Sequence, residues 1–169
     1  MGKLEIVRSL FEYNEWANDR LVDAAAQVSE DELTKERGVD FGSLQGILLH
    51  ILASHMVAFV EWKIEPPPLA KVEPGRAVSA LRESYAGVHE KLRGLVDSLT
   101  DDGLDKTMPV LNPQDGEWRT WERPVWQVAL SFGSHAMQHR AEAAMILTKL
   151  GHSPGQIDYS YFCWRGRDQ

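Results

Sequence analysis

The chain has 169 residues, 43% hydrophobic and 25% charged, the composition of one globular domain long enough to bury a core. A formal charge of −7 argues against a nucleic-acid binder, which meets phosphate through a basic surface. Cys163 is the only cysteine, which excludes an intrachain disulfide and a cysteine-based zinc site and fits a cytoplasmic setting.

The first helix is expected from about Lys3 to Val28, with Val7, Leu10, Phe11, Leu21 and Ala25 on one face. Its opening residues lack the charged-then-apolar pattern of a signal peptide. An acidic stretch, Ser29 to Glu32, follows, and Gly38 and Gly42 break the path before a second helix. Ser43 is the expected N-cap, and the helix runs to about Lys63, where Glu65-Pro66-Pro67-Pro68 stops it. The apolar run inside it, Ile47 to Val60, is interrupted by His50, Ser54 and His55 and is too short to span a bilayer. No membrane partner is therefore expected.

A third helix spans about Arg76 to Leu99, with Leu81, Tyr85, Val88, Leu92, Leu95 and Leu99 as its stripe. Residues 100–123 do not carry helical periodicity. A turn signal at Asp115-Gly116 between two short runs predicts a loop or small hairpin. The fourth helix is expected to begin at Pro124, a good first-turn residue, and to end at Gly151 as its cap. The aromatic tail, HSPGQIDYSYFCWRGRDQ, is expected to pack back on the helices. Together these elements make residues 1–169 a single all-α domain, a four-helix bundle with a short loop or hairpin between helices 3 and 4. An up-down-down-up arrangement with a crossover is compatible with the connection lengths.

Chemistry concentrates in the fourth helix. His135 and His139 stand one turn apart on the stripe formed by Val128, Phe132, Ala143, Ile146 and Leu150. Imidazoles on a core face need partners, and an i, i+4 pair is one way for a helix to grip a divalent metal. The plainer reading is two histidines bonded to nearby carbonyls or carboxylates. The residues between them are Ala136, Met137 and Gln138, so the glutamate of a zincin-type peptidase is missing. A third ligand must come from another helix. The second helix offers His50 and His55, five residues apart and unable both to reach one ion. His55 lies near the centre of the strongest apolar arc and His50 about 140° away. Periodicity leaves the choice open.

Three segments carry a family resemblance. The first helix contains Tyr13-Asn14-Glu15-Trp16-Ala17-Asn18, the second SLQGILLHILASHMVAFVEW, and the fourth WQVALSFGSHAMQHRAE. In order and spacing these resemble the DinB/YfiT-like proteins over nearly the whole chain, including the Leu150-Gly151 helix end. The resemblance implies a four-helix bundle with a divalent metal held by His50, His135 and His139. His55 then becomes a packed or hydrogen-bonded histidine. The resemblance also implies a homodimer, and the second helix, apolar on two faces, is consistent with one.

Three histidines leave a coordination position for water or substrate. Imidazoles suit Zn, Ni, Fe, Co or Mn, so the ligand set does not select the metal. The chain departs from the family where His139-Arg140 is followed by Ala141-Glu142 rather than Gly-Gln. Glu142 is thus a candidate to orient a ligand or act as a base, against the alternative of a surface carboxylate pairing with a lysine or arginine. Asn14 and Asn18 are polar intruders on the core face of the first helix and need partners, in helix packing or in ordering the site. Trp118, Trp121 and Trp126 are expected to cluster by packing around the hairpin, with a pocket wall as the alternative. Nothing beside Cys163 except Arg165 points to an activated thiol. His89 and His152 have no partner pattern and are expected to face solvent.

The function expected from this constellation is a metal-dependent enzyme acting on a small molecule. The resembled family includes thiol-dependent transferases and isomerases that use a low-molecular-weight thiol cosubstrate, and metal-dependent hydrolases. Thiol S-transfer is the leading expectation, hydrolysis the second, and a non-catalytic metal-binding stress-response protein the third.

Overall fold

The computed structural model describes residues 2–71, 75–114 and 117–165. Four long helices, α1 (Lys3–Ala25), α3 (Leu44–Glu61), α4 (Ala77–Ser98) and α6 (Val125–Lys149), form the bundle. Between and after them lie three short helices, α2 (Glu30–Thr34), α5 (Asp101–Asp105) and α7 (Tyr159–Trp164), and two strands, β1 (Thr107–Gln114) and β2 (Glu117–Pro124).

Packing order follows from the contacts. Helix α1 packs on α4 and α6, and α3 packs on the same two, so α1 faces α3 across a diagonal. Directions follow from residue pairs. Asp101, just past α4, accepts a hydrogen bond from the Leu4 amide, while Asp23 pairs with Arg82, so α1 and α4 are antiparallel. Leu10 meets Gly133 and Asn18 meets Arg140, so α1 and α6 are parallel. Phe41, ahead of α3, reaches His139 while Trp62, behind it, reaches Phe132, so α3 opposes α6. The order is up-down-down-up. At Gly133 the Leu10 side chain of α1 packs tightly on α6: a Cβ there would lie 2.5 Å from a Leu10 methyl, nearer than packed carbons tolerate.

Caps behave as the sequence indicates. The Ser43 hydroxyl accepts from the Gly46 amide at 3.1 Å, the N-cap bond that starts α3. Pro124 is itself the N-cap of α6. The acidic stretch forms α2, capped by Ser29, and α5, capped by Thr100, is a short helix in a region expected to have none. The expected hairpin is present as two antiparallel strands from Thr107↔Pro124 to Gln114↔Glu117; the Asp115-Gly116 turn itself lies outside the described residues. The aromatic tail packs back as expected, with Phe162 against Tyr13 and the Tyr13 hydroxyl donating to the Ile157 carbonyl.

Among the described residues α3 is the helix long and apolar enough to cross a bilayer. Here it is the centre of the core, with Leu44, Ile47, Leu48, Ile51, Leu52, Ala58 and Phe59 buried. That two-sided burial gives α3 its weak amphipathicity. Its remaining edge leaves Val57, beside the triad, and Val60 exposed.

Candidate metal centre

Helices α3 and α6 bring His50, His135 and His139 together, with one ring nitrogen from each lying within 4.8 Å of the others. The i, i+4 spacing sets His135 and His139 on one strip of α6, with ring centroids 4.8 Å apart. The antiparallel crossing of α3 then sets His50 over both, at centroid distances of 5.3 Å and 4.5 Å. His50 Nε2 and His135 Nε2 face each other at 3.1 Å. His139 is buried, His50 half-buried and His135 exposed. The position of His135 differs from the core-face expectation because it borders the open cavity beside the triad.

The electrostatics favour the neutral form of the His50 and His135 rings. Burial, then the neighbouring His139 and His135, hold the His50 imidazole below its usual value. Burial and then His139 do the same for His135. Neutral imidazole is the form that ligates metal. His139 is oriented from behind, with Glu142 Oε2 accepting from its Nδ1–H at 3.0 Å. Glu142 therefore pairs with a histidine rather than with the lysine or arginine of the plainer reading. A carboxylate on the far nitrogen fixes the tautomer and leaves Nε2 with a lone pair. Three converging imidazoles, one braced by a carboxylate, are a donor set that suits a divalent transition ion.

One residue at the centre is missing from the sequence reading. Phe41 stacks on His50 with ring centroids 3.8 Å apart and 13° between planes, and meets His139 edge-on at 5.3 Å. It holds a positive φ of 64°, an uncommon conformation for a bulky side chain that costs free energy. The loop is tied by Arg37 N–H to the Gly42 carbonyl and Gly42 N–H to the Val39 carbonyl. Gly46 permits its approach: a Cβ there would lie 2.0 Å from the Phe41 carbonyl oxygen. The Phe41-Gly42 and Gly46 pairing is the one signal in the sequence that marks this loop as closing on α3.

A cavity of about 430 Å³ opens beside the triad, lined by His50, His135, Ala53, Ser54, Val57 and Phe132. It shares Val57, Ser131 and Phe132 with a second cavity of about 390 Å³. The second one runs toward the hairpin and reaches Leu111, Arg123 and Glu61. Together they form a groove with an apolar floor, imidazoles at one end and opposite charges at the other.

The other singled-out residues lie elsewhere. His55 is buried on the opposite side of α3, its Nδ1–H donating to the Ile51 carbonyl at 2.8 Å; burial pushes its pKa down to about 3. Asn18 joins a buried chain: Arg140 Nη1 donates to its Oδ1 at 3.2 Å, and its Nδ2 lies 3.4 Å from His89 Nε2. His89 is buried on α4, contrary to the expected solvent position, and burial pushes its pKa down to about 4. The stripe of α4 turns it inward toward Asn18 and Tyr85. Arg140, 1% exposed, has no ion pair among the described residues and instead stacks over the Tyr13 ring at 4.9 Å. The expected tryptophan cluster does not form between Trp121 and Trp126: Trp121 is exposed under Arg123, whereas Trp126 packs beside Val7, Leu104 and Ala129. The side chain of Trp118 lies outside the described residues. Cys163 is half-buried against the Tyr13–Phe162 cluster, and His152 is half-buried where the chain leaves α6.

Comparison with known proteins agrees with this architecture. Residues 1–168 match the family model of the DinB family. The structure resembles that of YfiT from Bacillus subtilis, described as a probable metal-dependent hydrolase with an unusual four-helix bundle topology. The two share 18% identity and a TM-score of 0.57 over 88% of this chain and 90% of YfiT. No curated protein matches the chain.

Proposed function

The chain belongs to the DinB family, and from that membership and the triad we propose that it is a metal-dependent enzyme with His50, His135 and His139 as ligands. The observation that carries the proposal is the convergence of three imidazole nitrogens within 4.8 Å at the end of an open groove. A divalent ion there would supply Lewis acidity and activate a nucleophile, water or thiolate, near neutral pH. The chain's own residues supply the rest. Glu142 holds the His139 ring in its ligating tautomer, Phe41 shields His50 from solvent, and Val57 and Phe132 give a reacting molecule an apolar floor.

The favoured reaction is transfer of a low-molecular-weight thiol to an electrophile. A two-substrate reaction needs room for both partners, and the two joined cavities, about 430 and 390 Å³, offer it. Arg123 and Glu61 at the far end suit a cosubstrate with charged groups. Hydrolysis is the second reading, favoured by the description of YfiT, and it needs only the cavity beside the triad. Untagged protein is expected to bind one divalent ion per chain. Metal-loaded protein would then be assayed with small thiols plus an electrophile, and with esters alone. Thiol-dependent turnover lost in His50→Ala supports the first reading. Ester turnover without thiol supports the second. Metal binding with neither turnover would leave a non-catalytic metal-binding protein.

A further inference from the structure

The hairpin is a two-stranded sheet, and its two outer edges are built differently. Residues facing each other across an antiparallel ladder alternate between pairs that exchange hydrogen bonds and pairs whose amides and carbonyls point outward. Pro109 faces Glu122, Pro113 faces Trp118 and Pro124 faces Thr107, so all three prolines fall in one class. Proline has no N–H to give to a ladder, which makes that class the outward-pointing one. The Glu122 carbonyl accords with this, accepting from the Arg123 side chain, Nη1, at 3.1 Å. The β1 edge has therefore lost its donors at Pro109 and Pro113 and is blocked to a further strand. The β2 edge keeps the outward amides of Trp118, Thr120 and Glu122, which reach no backbone partner in another element among the described residues.

We propose that the β2 edge pairs with the β2 edge of a second copy of this chain, antiparallel about Thr120, making one continuous sheet from the two hairpins. Outward amides must meet outward carbonyls, which admits only registers that keep the same alternation. Centred on Thr120, the register sets Glu117 opposite Arg123 and Arg119 opposite Trp121 of the second copy, and twofold symmetry makes each pair twice. These are an ion pair and a cation–π pair, cross-strand contacts that stabilise a sheet. Centred on Arg119, the register sets that arginine against itself; centred on Trp121, it sets Arg119 against Arg123. Like charges directly opposite are destabilising, so the strand is self-complementary in the Thr120 register. Glu117, Arg119, Thr120, Trp121, Glu122 and Arg123 are all exposed, and nothing has to unpack. Self-pairing would exchange solvent-exposed contacts within the strand, Arg119 with Glu117 at 3.5 Å and Arg123 over Trp121 at 5.1 Å. The second apolar face of α3, which the sequence offers for a dimer, is covered within the bundle. Arg123 also lines the cavity that runs toward the hairpin, so the pairing brings a carboxylate of the second copy to the far end of the groove.

The test is sedimentation velocity of the full, metal-loaded chain over a concentration series, with amide hydrogen exchange as the local readout. The expected result is a concentration-dependent rise to twice the chain mass, with exchange of the Thr120 and Glu122 amides slowed roughly tenfold as the dimer fills. Thr120→Pro removes the central outward donor without touching the β1 ladder and should leave a monomer. Glu117→Arg should weaken association roughly tenfold, and adding Arg123→Glu should restore it, which a merely disturbed hairpin would not do. That rescue decides the case if Thr120→Pro does not fold. Three results overturn the proposal: a monomer at every concentration, a dimer indifferent to both Thr120→Pro and Glu117→Arg, or no rescue by the double exchange. Metal content, read on the same samples, should stay unchanged, which keeps these outcomes separate from any failure of the triad reading.

Discussion

The two sides of α3 carry the same residue type and put it to opposite uses. On the side facing α6, His50 meets His135 and His139 with no main-chain bond to occupy its Nε2, in a groove open to solvent. On the other side His55, five residues later, is sealed in the core and spends one nitrogen on the Ile51 carbonyl. The difference is one of helical angle. It teaches that a histidine becomes a candidate ligand through what faces it, not through burial, since the more buried of the two is the one without a second imidazole to share an ion.

That comparison breaks most directly by substitution. His50→Ala, His135→Ala and His139→Ala should each abolish stoichiometric metal binding, and His55→Leu should leave it intact, as measured by elemental analysis of untagged protein. Metal lost only from His55→Leu would reverse the assignment.

The next largest effect is on acid stability. His55 and His89 have folded pKa values pushed down to about 3 and about 4 by burial, from 6.5. The unfolded chain therefore binds their protons first. Stability is complete above about pH 6.5 and is lost as pH falls toward the folded values, by about 1.4 kcal/mol per pH unit for each ring. In metal-free protein, urea midpoints between pH 7 and pH 4.5 should fall less steeply in His55→Leu than in the parent. Equal slopes would place His55 in contact with solvent.

Smaller effects sharpen the triad side. Glu142→Gln keeps the shape but weakens the acceptor for His139 Nδ1–H, and should weaken metal binding by roughly tenfold to a hundredfold with thermal stability little changed. An unaltered affinity would make Glu142 a surface carboxylate after all. Phe41→Gly removes the ring over His50 and relieves the positive φ. The two changes oppose each other in stability, so the melting temperature should move little while metal dissociates severalfold faster in a chelator chase.

Helix positions and caps were legible in the sequence because they depend on local chemistry: Ser43 bonding the third amide along and glycine ending α6. The His135/His139 spacing was legible for the same reason. The choice between His50 and His55 was not, since both faces of α3 are apolar and periodicity cannot say which one meets α6. The inward turn of His89 depends on packing between α1 and α4, and the approach of Phe41 to His50 on a loop whose path no period encodes. Each is a tertiary fact.

The account rests on three imidazoles sharing one ion, and X-ray absorption spectroscopy of zinc-loaded protein tests that most directly. Three imidazole nitrogens at about 2.0–2.1 Å from the metal, falling to two in His50→Ala, are the predicted result. A bound ion without imidazole scattering, or a count unchanged in His50→Ala, would contradict it.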